Sequence, residues 1–189
     1  MPTFTRGQKS KLADLTSVTD LTVGIGLTGS GSEVYDISCF GVDADGKLSD
    51  DRYFVFYNQP SAPDDTVRAL GARDGDREAF QVALGRLPSS VKKLAFTVTL
   101  DGTGSMSSLR QGHLRVLAGG TEIVRFAFSG SDFRAERAII VAEIYHKDVW
   151  RFAAVGQGFN GGLSALLTHF GGEESAPASA PPPPRPSAV

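Results

Sequence analysis

Val34-Tyr-Asp-Ile-Ser-Cys-Phe-Gly-Val42, the turn residues Asp45-Gly46 and the run Arg52-Tyr-Phe-Val-Phe-Tyr57 together decide the fold class of this chain. The two outer runs are rich in β-branched and aromatic residues and alternate with a rough period of two, which sends successive side chains to opposite faces of a strand. Asp45-Gly46 supplies turn chemistry between them. The same grammar extends outward on both sides. Leu21 to Leu27 alternates strictly, and Ala79 to Leu84, Val91 to Leu100, His113 to Leu117, Glu122 to Phe128, Arg137 to His146 and Val149 to Val155 are further strand-like runs bounded by turn residues. Ala118-Gly-Gly-Thr121 and Lys147-Asp148 predict tight hairpins, so their neighbours should pair. Nine or more strands with short links imply an all-β antiparallel sandwich or barrel rather than a parallel α/β sheet. One short C-terminal helix is predicted, with Leu163, Leu166, Leu167 and Phe170 on one face and Gly171-Gly172 as its stop.

At 189 residues and 41% hydrophobic content the chain has material for one core. Its 19 basic and 21 acidic residues leave a formal charge of -2, so no global field recruits nucleic acid. The single Cys39 rules out an internal disulfide and, lying in an apolar run, reads as a buried free thiol suited to a reducing compartment. The first ten residues lack a signal-peptide core and no window approaches 18 continuous apolar residues, so the expectation is a cytoplasmic protein without a transmembrane segment. The domain boundary falls near 172. Residues 173–189, made of Glu, Ser, Ala and Pro, predict a disordered, Pro-rich tail that cannot offset its ordering entropy by apolar burial.

Between Asp36 and Glu78 the strand-like runs are separated by a dense set of acidic and amide side chains. Oxygen donors on loops at strand ends suit calcium, which takes six to eight oxygens in loose geometry. Asp-Gly pairs between strands are equally the signature of hairpin turns. Asp43-Ala-Asp-Gly-Lys-Leu-Ser-Asp-Asp51 departs from an EF-hand loop in its Gly position, its missing bidentate Glu and its flanking strands, so a turn explains Asp43 and Asp45 better. Catalytic patterns are absent from the sequence. His113, His146 and His169 show no metal-ligand spacing, and neither Gly102-Thr-Gly-Ser105 nor Gly156-Gln-Gly-Phe-Asn-Gly-Gly162 meets the requirements of a Walker or dinucleotide loop. The second glycine segment is read as a strand-to-helix loop, where ligand binding competes with close packing.

Several segments, in order, resemble the TerD family of tellurium-resistance and bacterial stress proteins. They are Val34-Tyr-Asp-Ile-Ser-Cys-Phe40, Leu48-Ser-Asp-Asp-Arg-Tyr-Phe-Val-Phe-Tyr-Asn-Gln-Pro60, Gly75-Asp-Arg-Glu78, Glu143-Ile-Tyr145 and Trp150-Arg-Phe-Ala-Ala-Val-Gly-Gln-Gly-Phe-Asn-Gly-Gly-Leu163. The resemblance covers roughly residues 15 to 171. It implies a sandwich of two sheets whose loops bind calcium, and a stress role without a common enzymatic activity. By position it implies Asp36, Asp51, Asn58, Asp76 and Glu78 as metal ligands, with Asp74 as an additional acid nearby. The departures are Val34 in place of an acid, Tyr53 in place of another, and Ala72-Arg73 in place of a Gly-Asp-Asn segment. Fewer carboxylates and an added Arg lower the attraction for a divalent ion, so the resemblance implies a divergent member with a weakened site. The alternative reading is a metal-independent interaction module that scaffolds other stress-operon proteins in the cytoplasm or at the membrane periphery.

Overall fold

The computed structural model describes residues 3–171, and the tail expected over 173–189 lies outside them. In chain order the strands are β1 (Thr3–Phe4), β2 (Lys9–Lys11), β3 (Asp20–Gly29), β4 (Val34–Val42), β5 (Phe54–Val55), β6 (Val67–Ala69), β7 (Glu78–Ala83), β8 (Lys93–Asp101), β9 (Leu109–Ala118), β10 (Thr121–Phe128), β11 (Ala138–Lys147) and β12 (Val149–Phe159), followed by helix α1 (Gly162–His169). They form two six-stranded sheets, ordered β1-β10-β9-β3-β7-β6 and β2-β12-β11-β8-β4-β5. This is the expected two-sheet sandwich. All pairings are antiparallel except β1 against β10, which is parallel.

The alternation read in the sequence fills the space between the sheets. Tyr35, Ile37 and Cys39 of β4, Val23 and Ile25 of β3, and Leu114 and Val116 of β9 all point into one shared core. Cys39 is a buried free thiol, and burial pushes its pKa up. The opposite face of β4 is also covered. Phe40 and Val42 join Ala95, Ala138, Ile140, Leu166 and Phe170 in a second apolar cluster beneath α1. Phe170 stacks on Phe40 at 4.7 Å, Phe40 on Phe54 at 4.3 Å and Phe54 on Phe56 at 4.4 Å. This aromatic file gives α1 its seat on the outer face of the second sheet. Of the expected apolar helix face, Leu166 and Phe170 are buried while Leu163 is 43% exposed.

Three local expectations change. The run Arg52 to Tyr57 pairs only over Phe54–Val55, because Asp51–Tyr53 forms a 3-10 turn capped by the Asp50 carboxylate, which accepts from Arg52 N at 3.0 Å. Asp45-Gly46 lies in a turn closed by Asp43, whose Oδ1 accepts from the backbone N of Asp45 and Lys47 at 2.9 Å each, within a longer connection between β4 and β5. Gly156 to Phe159 is strand rather than loop. Gly156 adopts φ +62° opposite a register shift in β11, a conformation that favours glycine. The hairpin at Ala118 to Thr121 forms as read, with Gly119 and Gly120 both at positive φ.

Candidate functional site

Asp74-Gly75 is the tip of a tight hairpin, at φ +50° and +87°, with Arg73 and Asp76 exchanging backbone hydrogen bonds of 3.1 and 2.8 Å. The hairpin lies across the outer face of the first sheet and sets the Asp76 carboxylate over Gly24 and Gly26 of β3. A Cβ on Gly24 would overlap Asp76 Oδ2, and one on Gly26 would overlap the His113 ring, so the two glycines make the room for this contact. His113 and Arg115 pair in register with Gly26 and Gly24. Because Leu114 and Val116 face the core, His113 and Arg115 face outward, toward Asp76.

Four contacts hold the carboxylate. His113 Nε2 lies 2.8 Å from Oδ1, Arg115 Nε is 3.1 Å from Oδ1 and 3.0 Å from Oδ2, and Arg115 Nη2 donates to Oδ2 at 2.8 Å. The Asp76 side chain is only 1% exposed. Arg115 Nη2 also donates to Asp74 O at 3.3 Å, and Nη1 is 3.7 Å from Glu122 Oε2. Glu122 is gripped in turn by Arg125 through bonds of 2.7 and 3.0 Å. The Asp76 hydrogen bond raises the Arg115 pKa, and the Arg125 hydrogen bond lowers that of Glu122. The sequence carried a faint sign of this network: the outward positions of Leu21 to Leu27 include two glycines, and two polar side chains alternate with leucine in His113-Leu-Arg115.

The other candidate ligands lie elsewhere. Asp36 and Glu78 line one small recess of about 120 Å³ with Tyr35, Ile37, Tyr57 and Arg77. Arg77 Cζ stands 5.6 Å from the Tyr35 ring centroid, which sets a guanidinium in the wall of that recess. Glu78 Oε1 accepts from Gly71 N at 2.7 Å and Ala79 N at 3.0 Å. Burial, followed by the charge of Asp101, raises the Asp36 pKa. Asp51 opens the 3-10 turn, and its carbonyl accepts from Gln59 Nε2 at 2.8 Å. Asn58 sits with Tyr57 at the tip of the Phe56 to Gln59 turn. Asp74 is at the hairpin tip.

Among the described residues no three His, Cys, Asp or Glu side chains gather as a metal cluster. Calcium needs six to eight oxygens and is favoured by several carboxylates. Here only Asp36 and Glu78 share a recess, beside a cation, while both Asp76 oxygens are committed to Arg115 and His113. The residues present therefore do not fit a multi-carboxylate calcium cage. No helix among the described residues is long and apolar enough to cross a membrane.

Comparison with known proteins gives the family. A TerD domain matches residues 1–170. The chain is 38% identical over 133 residues to the tellurium resistance protein TerA of an Alcaligenes species, covering 67% of this chain and 38% of that protein, so it spans well under half of that relative's length. It is 32% identical to general stress protein 16U of Bacillus subtilis, covering 72% of this chain and 76% of the relative. The crystal structure of a homologue of telluride resistance protein (TerD) from Streptomyces coelicolor A3(2) superimposes with a TM-score of 0.60 at 20% identity, covering 80% of this chain and 95% of that one, a likeness of fold. The chain belongs to the TerD family of tellurium-resistance and stress-response proteins.

Proposed function

We propose that this protein is a non-enzymatic binding module of a tellurium-type stress response, and that it folds and acts without calcium. The observation that carries this reading is the Asp76 carboxylate, enclosed by four contacts from His113 and Arg115. An internal guanidinium supplies the positive charge that a bound cation would otherwise bring, and it does so with fixed bidentate geometry. Arg77 lines the Asp36 and Glu78 recess and adds a positive charge beside it.

A non-catalytic role is supported by what engages the reactive side chains. His113 is tied to Asp76, and His146 packs edge-on to Trp150. The recess beside His113 measures about 80 Å³, far below the roughly 300–1,000 Å³ typical of substrate pockets. The partners that fit this reading are other proteins of the same stress system.

Calcium binding is the second reading, favoured by Asp36 and Glu78 lining one recess. Carbonyl oxygens beside them would then complete a weak site. Melting curves of chelator-treated protein with and without about 10 mM calcium separate the two. A site with a Kd of about 1 mM, the weak end of natural calcium modules, would add roughly 1.4 kcal/mol. The proposal predicts no shift, and a rise of several degrees that Glu78→Gln abolishes would refute it.

A further inference from the structure

The outer face of the second sheet carries α1. Beside the helix it holds a recess of about 470 Å³, lined by Arg6, Lys9, Lys93 and His169 together with Glu143 and Tyr145. Strand register explains how these side chains meet. Lys9 pairs with Ala153 and Ala153 with Glu143, while in the neighbouring row Tyr145 pairs with Lys93. Alanine at 153 leaves a low floor between the taller side chains. Among the lining side chains three cations stand against one carboxylate, a local charge of +2 in a chain whose formal net charge is -2, with Glu136 facing Arg6 from outside the lining. A second recess of about 340 Å³ shares Lys93 and Tyr145 and adds Lys92 and Lys147 against Asp43, so an excess of positive charge extends along the face.

Two of the cations are held in place. Arg6 Nη2 donates to Gly156 O at 2.5 Å, and its guanidinium lies 5.6 Å from the Phe133 ring centroid. Gly156 makes this possible, since a Cβ there would come within 2.7 Å of Arg6 Nε. Lys93 Nζ sits 3.3 Å from Glu143 Oε2, and Glu143 is 16% exposed. An arginine anchored by its own backbone contact and a lysine steadied by a carboxylate are pre-organised donors for an anion. The carboxylate beside them accepts hydrogen bonds from hydroxyl groups.

We propose that this recess binds a small soluble phosphate ester that carries free hydroxyl groups. Arg6, Lys9 and Lys93 take the phosphate, while Glu143 and Tyr145 meet the hydroxyls. The volume lies within the small-molecule range. The site is walled by α1 on one side and the Arg6 to Lys9 segment on the other, which suits a free ester better than a headgroup fixed in a lipid surface. The inference is independent of the calcium question, because the recess shares no residue with the metal candidates.

The test is calorimetric titration of the full chain with ribose 5-phosphate, set against ribose, inorganic phosphate, and vesicles of phosphatidylcholine with phosphatidylserine. The expected result is saturable heat with ribose 5-phosphate, tighter than with inorganic phosphate and weakened by added salt. Arg6→Gln and Lys93→Gln should each weaken it at least about tenfold. Glu143→Gln should narrow the preference over inorganic phosphate. Lys9→Gln, at an exposed position, keeps the test decisive if Arg6→Gln fails to fold. No saturable heat with ribose 5-phosphate up to about 10 mM would overturn the proposal. So would affinity unchanged in both Lys9→Gln and Lys93→Gln, or binding to vesicles alone.

Discussion

Replacing Arg115 with Met removes three of the four contacts to a carboxylate that is 1% exposed, leaving His113 as its remaining partner. Breaking a buried pair by deleting one partner typically costs about 3–5 kcal/mol, because the other charge stays buried. For a domain of this size each kcal/mol moves the melting temperature by roughly 2–4 °C, so a fall of about 6–20 °C follows. The reciprocal change, Asp76→Asn, should cost less, about 1–3 kcal/mol. Arg115 is 14% exposed, keeps its bond to Asp74 O, and has Glu122 at 3.7 Å. Urea unfolding followed by the fluorescence of Trp150, the one tryptophan, measures both. Equal costs, or a cost under about 1 kcal/mol for Arg115→Met, would refute the reasoning.

Further outcomes follow from the same contacts. Gly24→Ala should destabilise strongly by displacing Asp76, and a double-mutant cycle with Asp76→Ala should show a coupling of about 0.5–3 kcal/mol, against additivity if the two do not meet. The Asp36 pKa is raised by burial, so the native state holds this proton more tightly than the unfolded chain does. Asp36 therefore favours folding below its unfolded pKa and loses that contribution as pH rises through its raised folded value. Asp36→Asn should accordingly melt higher than wild type at neutral pH and lose that advantage near pH 4, whereas loss of a calcium ligand would lower its melting temperature at neutral pH. Phe170→Ala should cost about 3–5 kcal/mol, because Phe170 is 2% exposed and seats α1 on Phe40, and urea unfolding tests this directly. Cys39 should react with a thiol reagent only at the unfolding rate. Prompt labelling in the native state would contradict its placement.

The sheets were legible in the sequence where a strand alternates between two environments. β4 spans the same residues, Val34–Val42, in sequence and structure, because its odd-numbered residues enter the core and its even-numbered ones meet the outer face. β1, β2 and β6 escaped notice for a physical reason. They are two or three residues long, and Lys9-Ser-Lys11 has no apolar pattern to read. The aromatic run after Arg52 suggested a longer strand than exists, since the ladder to β4 ends at Val55 and Phe56 turns back to bridge Gln59 while stacking on Phe54. The candidate site was legible only in part. Spacing identified acids at strand ends, but the side chain that meets Asp76 comes from β9, 39 residues away, and no local signal links them. Asp74-Gly75 shows the limit in the other direction. Its plain hairpin chemistry was visible throughout, and it is the tip of a tight hairpin.

The most direct test is a calorimetric titration of calcium into metal-stripped wild-type protein, with the Asp36→Asn, Glu78→Gln double variant alongside. Because Asp76 is closed by Arg115 and Arg77 lines the recess of Asp36 and Glu78, the prediction is no saturable heat from either protein up to about 10 mM calcium. Saturable binding to the wild type with a Kd below about 1 mM, lost in the double variant, would contradict it.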